Sequence, residues 1–219
     1  RITALLDELR LADDTLVVFA SDNGGVGGYA RAGLERGRDD VTDNAPLRNG
    51  KGSLYEGGTR VPLIVRWPGR APAGAVCDTP TVHVDVLPTY AAISGAALPA
   101  GQTLDGESLL PLIEGKPFSR TKPICFQYSG QANCSTEQYK FYQKAGKPEL
   151  YDMLADPFEK QNIASSHPEK TKELKKQFLD WQASTKASFE GQEYGTVSLE
   201  RTSKKWEDVL APKKNKDQK

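Results

Sequence analysis

The sequence predicts an α/β protein: part of a mostly parallel sheet with flanking helices, followed by a smaller antiparallel sheet with a packed C-terminal helix. Two observations carry this. The apolar run Leu16-Val17-Val18-Phe19-Ala20 shows no alternation, the pattern of a strand covered on both faces, as in parallel sheets. Further along, Ile124 to Gln127, Tyr139 to Gln143 and Glu149 to Asp152 are short and closely spaced, as in an antiparallel layer. With 219 residues, 37% hydrophobic and 26% charged, the chain has the composition of a globular protein able to bury a sizeable core.

Taken in order, Ile2, Leu5, Leu6 and Leu9 recur at helical spacing until Ala12-Asp13-Asp14 breaks the pattern ahead of the first strand. That strand runs into Ser21-Asp22-Asn23-Gly24-Gly25, polar residues at a strand's carboxyl end, where open α/β sheets bind ligands. The stretch from Val26 to Gly52 has no periodicity; loops this long are functional or disordered. Val61 to Trp67 is a second strand, closed by Pro68-Gly69, and Asp85 to Ile93 a helix capped by Asp85 and stopped by Gly95. Leu174, Phe178 and Trp181 mark one face of an amphipathic helix for which Ser166 and Glu169 supply a capping box. These segments divide the chain into residues 1–118, a portion of an α/β domain, a smaller subdomain over 119–187, and a tail over 188–219 where lysine rises and aromatic content thins.

Basic and acidic residues balance at 29 each, which leaves no electrostatic footprint for wholesale nucleic-acid binding. No apolar run reaches membrane-spanning length. The lysines from Lys204 to Lys219 read as a solvated tail. Of three cysteines, Cys125 and Cys134 are close enough in sequence to bridge a short loop in an oxidising compartment, leaving Cys77 over. The chain opens on Arg1 with no leader pattern, so we expect it to begin mid-domain.

Few residues have the character and setting for chemistry. Asp22 and Asn23 are adjacent oxygen donors of the kind that hold a hard divalent cation such as calcium, or else an Asp-Asn-Gly turn whose side chains bond their own backbone. Lys51 stands between Gly50 and Gly52, where the backbone can approach a ligand and a compact ammonium suits sulfate or phosphate; the alternative is a solvated loop lysine. Glu56-Gly57-Gly58-Thr59-Arg60 combines a helix- or turn-ending double glycine with a charged pair expected to fix the loop, direct substrate contact being the less favoured alternative. His83 is expected to be a hydrogen-bonded structural histidine and His167 an exposed one. Trp67, Tyr90, Phe178 and Trp181 fall at core spacing.

Four blocks, read in order, resemble the C-terminal portion of the sulfatase family, of arylsulfatase-like type and alkaline-phosphatase-like fold. They are Thr15 to Gly25, Gly50 to Pro62, Asp85 to Thr89, and Leu150-Tyr151-Asp152-Met153-Leu154-Ala155-Asp156-Pro157-Phe158-Glu159-Lys160-Gln161-Asn162-Ile163-Ala164. One such block is weak evidence; four in family order are not. The resemblance implies hydrolysis of a sulfate ester to an alcohol and inorganic sulfate. It implies Asp22 and Asn23 as calcium ligands and Lys51 as the contact to the sulfate group, with cation and lysine together offsetting oxyanion charge.

The family nucleophile is a formylglycine made from Cys or Ser in a C/S-x-P-x-R motif. Cys77-Asp78-Thr79-Pro80 lacks the arginine, and Cys125 and Cys134 lack the motif altogether, so formylglycine and the rest of the calcium shell are expected in a missing N-terminal part or a second chain. The partner implied is a sulfated small molecule or glycan, and the location periplasmic or secreted. Two other readings stand beside this one: a phosphonate or phosphodiester hydrolase of the same superfamily, and a non-catalytic module whose charged loop, Arg31 to Asp43, binds a glycan.

Overall fold

The run around Val18 does form a strand, β1 (Val17–Ala20), but its partner β2 (Leu63–Arg66) lies antiparallel to it, with Phe19 opposite Ile64. The computed structural model describes residues 1–26, 42–98, 100–101, 103–192 and 205–211, and among these both sheets are antiparallel throughout. An unbroken apolar run reports that both faces seek cover; it carries no information on the direction of the neighbouring strand. Nor is the cover supplied by the described residues: Phe19 is 60% exposed and Ile64 59%.

These strands belong to the first of two compact units, made of Arg1–Asn23, Val61–Ala100 and Leu104–Lys122. It also holds α1 (Ile2–Glu8), α3 (Val86–Ser94) and α4 (Leu110–Ile113). Gly95, left-handed at φ 70°, ends α3 as expected. Asp85 does not cap that helix with its side chain. It is wholly buried, accepts from the backbone N–H groups of Val82 at 2.8 Å and Glu107 at 2.9 Å, and pairs with the buried Arg120. A cap and a buried ion use the same residue type, so the sequence did not separate them. Tyr90, expected in the core, is exposed, whereas Trp67 is buried.

The second unit comprises Gly24–Arg60, Gly101–Thr103 and Pro123–Lys219. Its centre is a four-stranded meander of β3 (Ile124–Tyr128), β4 (Gln131–Ser135), β5 (Tyr139–Lys144) and β6 (Lys147–Asp152). Ser129-Gly130 and Ala145-Gly146 join the outer pairs with positive φ at both residues, the tight turn whose twist matches that of the strands. The helix α5 (Pro168–Phe189) lays Leu174 and Phe178 on a core of Cys125, Cys134, Phe141 and Leu150. Each such side chain contributes about 1.5–3 kcal/mol through burial. Cys125 and Cys134 face each other across β3 and β4 inside this core, both as thiols. The expected capping box of α5 is not formed: Ser166 Oγ donates to the Ile163 carbonyl at 3.0 Å, and Pro168 opens the helix. The short α2 (Glu56–Thr59) and α6 (Trp206–Leu210) complete the unit. No helix among the described residues is long and apolar enough to cross a membrane.

Candidate functional site

Asp22 and Asn23 follow β1 after Ser21, in the first unit. The turn there is closed by Ser21, whose Oγ donates to the Asn23 carbonyl at 2.8 Å. Asp22 is exposed, and its carboxylate makes no hydrogen bond or ion pair among the described residues. A carboxylate and an amide oxygen are hard donors that fit calcium, but they are two of the six to eight that it takes. Among the described residues no cluster of three or more His, Cys, Asp or Glu side chains stands ready to complete such a shell.

Lys51 lies in the second unit at the tip of a tight turn: Ser53 N–H donates to the Gly50 carbonyl at 3.0 Å, and Gly52 has φ 89°. A positive φ at the third position is the type II arrangement, which favours glycine there. The Lys51 side chain is exposed, and its ammonium makes no hydrogen bond or ion pair among the described residues. What surrounds the turn is ordered and largely buried. Gln131 in β4 donates from Nε2 to the Gly52 carbonyl at 3.0 Å and accepts from Leu54 N–H at 3.2 Å. Asn133, two residues on, donates to the Leu54 carbonyl at 3.2 Å.

Both ends of the segment are anchored as well. Arg48 lies over the Tyr55 ring with its guanidinium carbon 3.8 Å from the centroid, and donates to Tyr151 Oη at 2.7 Å and the Glu159 carbonyl at 3.1 Å. Tyr55 and Tyr151 both donate to Glu149 Oε2. Burial, reinforced by that carboxylate acceptor, pushes both phenols well above their ordinary range and keeps them protonated as donors. At the far end Glu159 Oε2 accepts from Glu56 N–H at 2.7 Å, and Lys140 Nζ sits 2.7 Å from Glu56 Oε1 and 2.8 Å from Glu159 Oε1. Glu56 also meets Arg60, Oε2 to Nε, at 3.0 Å, the structural pairing expected from the sequence. Burial drives the Glu159 carboxyl upward against the pull of Lys140.

The double glycine ends neither a helix nor a turn. Gly57 and Gly58 lie inside α2, where a Cβ on Gly57 would fall 2.1 Å from the Asn49 carbonyl oxygen and one on Gly58 2.1 Å from that of Ser53. They are glycines because α2 packs backbone against backbone on the Lys51 segment.

The structure therefore places Lys51 as an exposed cation on a turn held by buried side chains. The supporting residues Arg48, Gln131, Asn133 and Lys140 had no assigned role in the sequence reading. Lys140 left one signal, a charge in the middle of the strand pattern Tyr-Lys-Phe-Tyr. His83 is exposed with no side-chain hydrogen bond among the described residues, against expectation, and His167 is exposed as expected. Of the charged loop Arg31 to Asp43, all but its last two residues lie outside the described residues.

The chain matches two family models, the one described as Sulfatase over residues 1–96 and the one described as N-sulphoglucosamine sulphohydrolase, C-terminal, over residues 49–184. Steryl-sulfatase of Homo sapiens is 41% identical over 128 residues, 58% of this chain and 21% of that protein. N-acetylgalactosamine-6-O-sulfatase of Bacteroides thetaiotaomicron is 32% identical, across 77% of this chain and 36% of its own length. The solved structure of Ps i-CgsB superposes with a TM-score of 0.72 at 28% identity, covering 88% of this chain and 43% of that one, and is also solved in complex with k-i-k-neocarrahexaose. The chain spans less than half the length of each.

Proposed function

We propose, since this chain belongs to the sulfatase family, that the full-length protein is a calcium-dependent sulfatase that hydrolyses sulfate esters to an alcohol and inorganic sulfate. One observation carries the reading. Lys51, in the stretch where both family models overlap, is an exposed ammonium on a turn whose backbone is fixed from every side.

In this reading Lys51 donates to a sulfate oxygen and offsets the negative charge that grows there as the ester bond breaks; being preorganised, it needs no rearrangement during reaction. Asp22 and Asn23 hold calcium, which supplies further positive charge at the sulfate group. The nucleophile is a formylglycine from a C/S-x-P-x-R motif, a pattern that these 219 residues do not contain. A sulfated carbohydrate is the substrate class we favour, supported by what the Bacteroides relative is named for and by the oligosaccharide bound to Ps i-CgsB. A periplasmic or secreted location, on an alkaline-phosphatase-like fold with a parallel sheet beyond the strands described, completes the proposal.

The test is release of inorganic sulfate from an aryl sulfate and from sulfated glycans by full-length protein, co-expressed with a formylglycine-generating system, before and after chelation of calcium. Turnover of phosphodiesters or phosphonates with none of sulfates overturns the reading in favour of the related hydrolases. Glycan binding without turnover, and without need of calcium, overturns it in favour of a binding module.

A further inference from the structure

Two side-chain carboxamides grip the Lys51 turn from opposite sides, and both hold backbone. Gln131 closes on the carbonyl of Gly52 and the N–H of Leu54, just after the lysine. Asn44 works just before it. Its Oδ1 accepts from Gly25 N–H at 3.0 Å, while its Nδ2 donates to the Gly25 carbonyl at 2.8 Å and to the Asn49 carbonyl at 3.1 Å. The Gly25 carbonyl has a second donor, the backbone N–H of Lys51 itself, at 2.9 Å. One carboxamide thus fixes the acceptor to which the Lys51 backbone is tied, and ties the same acceptor to Asn49, whose left-handed φ of 61° starts the turn.

Gly25 is shaped for this contact. A Cβ there would lie 2.4 Å from Thr42 Oγ1 and 2.8 Å from Asn44 Oδ1, so a side chain at 25 and the carboxamide of 44 cannot share the space. Asn44 is partly buried and contributes nothing to the apolar cores. Among the described residues its side-chain bonds go to main chain alone, at Gly25 and at Asn49.

We propose that Asn44 is a positioning residue for Lys51, acting through the Gly25 carbonyl to set where the ammonium reaches, with Gln131 as its counterpart on the other side. This rests on Lys51 being the sulfate contact. A misplacement of about 1 Å can cost on the order of 10²-fold in rate even when caused away from the chemistry, and a lysine on a four-carbon stem depends on its backbone for that accuracy. Asn44 touches no substrate in this arrangement; its effect passes through Lys51.

The test is a double-mutant cycle in the full-length enzyme: wild type, Asn44→Ala, Lys51→Ala and the pair. Each protein is measured for kcat and KM on an aryl sulfate, for binding of inorganic sulfate by calorimetry, and for thermal midpoint. Asn44→Ala should lower kcat/KM by about 10- to 100-fold, mostly in kcat, and weaken sulfate binding. In the Lys51→Ala background the same change should alter either quantity less than about twofold, because the group it positions is gone. Asn44→Asp keeps the acceptor for Gly25 N–H but turns a charged acceptor toward the Gly25 and Asn49 carbonyls, so it should lose at least as much as Asn44→Ala; Asn44→Ser, uncharged and too short to span both carbonyls, serves should the alanine variant fold poorly. Equal losses in both backgrounds, tracking the midpoint, would make Asn44 a stability residue and overturn the proposal. If Lys51→Ala alone changes neither turnover nor sulfate binding, the reading of Lys51 fails and the proposal falls with it, a result distinct from additivity in the cycle.

Discussion

The Asp22 strand end and the Lys51 turn carry the two halves of the proposed chemistry, yet they are built in opposite ways. Beside the first, β1 and β2 expose Phe19 and Ile64 by more than half of their surface, and the ion pair from Arg66 in β2 to Asp7 is solvent-exposed. Around the second, Lys140 and Glu159 are each 1% exposed and the loop is bonded to β4, β5 and the 159 segment through side chains buried with it. The Lys51 loop carries its own framework in this chain. The strand that leads into Asp22 and Asn23 turns apolar surface outward, more than isolated surface residues explain.

The sharpest way to break this contrast is to remove Lys140. Lys140→Ala leaves Glu56 and Glu159 facing each other without their shared cation, and loss of one partner from a buried ion group costs about 3–5 kcal/mol. Thermal and urea unfolding of the full-length protein should register that loss, and Lys140→Met should recover only its packing share, since a methionine fills the space but leaves the buried Glu159 without a cation and Glu56 with Arg60 alone. A midpoint unchanged by Lys140→Ala would mean that the framework does not depend on this group.

Lys51→Ala should do the reverse. We expect kcat/KM to fall by about 10² to 10³ while stability moves by less than about 0.5 kcal/mol. Lys51→Arg should also impair turnover, because a planar fork does not occupy the place of a compact ammonium. Kinetics and thermal midpoint on the same preparations separate the cases, and a large fall in midpoint would assign Lys51 to the framework after all.

A smaller effect should appear with pH in the first unit. Burial tends to raise the Glu107 carboxyl, but hydrogen bonds from Thr121 Oγ1 and from the Thr121 and Lys122 N–H groups, together with Arg120, outweigh it and hold the group below the usual range. A carboxyl depressed in the folded state contributes stability above its unfolded pKa of about 4.3 and loses it as pH falls through the lower folded value. Glu107→Gln should therefore flatten the acid limb of a midpoint-against-pH curve, by about 1 kcal/mol or less after solvent screening. Smallest of all, Arg66→Ala should cost about 0–1 kcal/mol and lose even that in high salt; a larger cost would show that this surface pair is part of a packed interface.

How much of this was legible depends on which face a residue's chemistry turns to. Apolar runs announced β1 and β2, short closely spaced segments announced β3, β5 and β6, and apolar spacing the face of α5, because burial of Phe141, Leu150 and Leu174 leaves a pattern in sequence. β4 left none. Gln131-Ala132-Asn133-Cys134-Ser135 has no β-branched or aromatic residue, and its strand character comes from lying between β3 and β5, a tertiary circumstance that overrides propensity. The hidden strand is the one whose amides hold the Lys51 turn. Lys51 could be picked out by its flanking glycines, but its support could not: Gln131 is 79 residues from the carbonyl to which it donates, and nothing local links a polar residue in one segment to backbone in another.

The close approach of glycines leaves a different mark. A Cβ on Gly24 would sit 1.8 Å from the Gly57 carbonyl oxygen, and Gly57 and Gly58 are as tightly placed. Where main chain lies on main chain there is no side chain to trade, so natural variation has no gradual route through these positions. In a saturation library sorted first for expression and then for turnover, positions 24, 57 and 58 should read blank in both sorts. Position 51 should read full in the first and empty in the second. The two signatures would tell a shape requirement from a charge requirement within one short stretch of gene, by counting survivors alone.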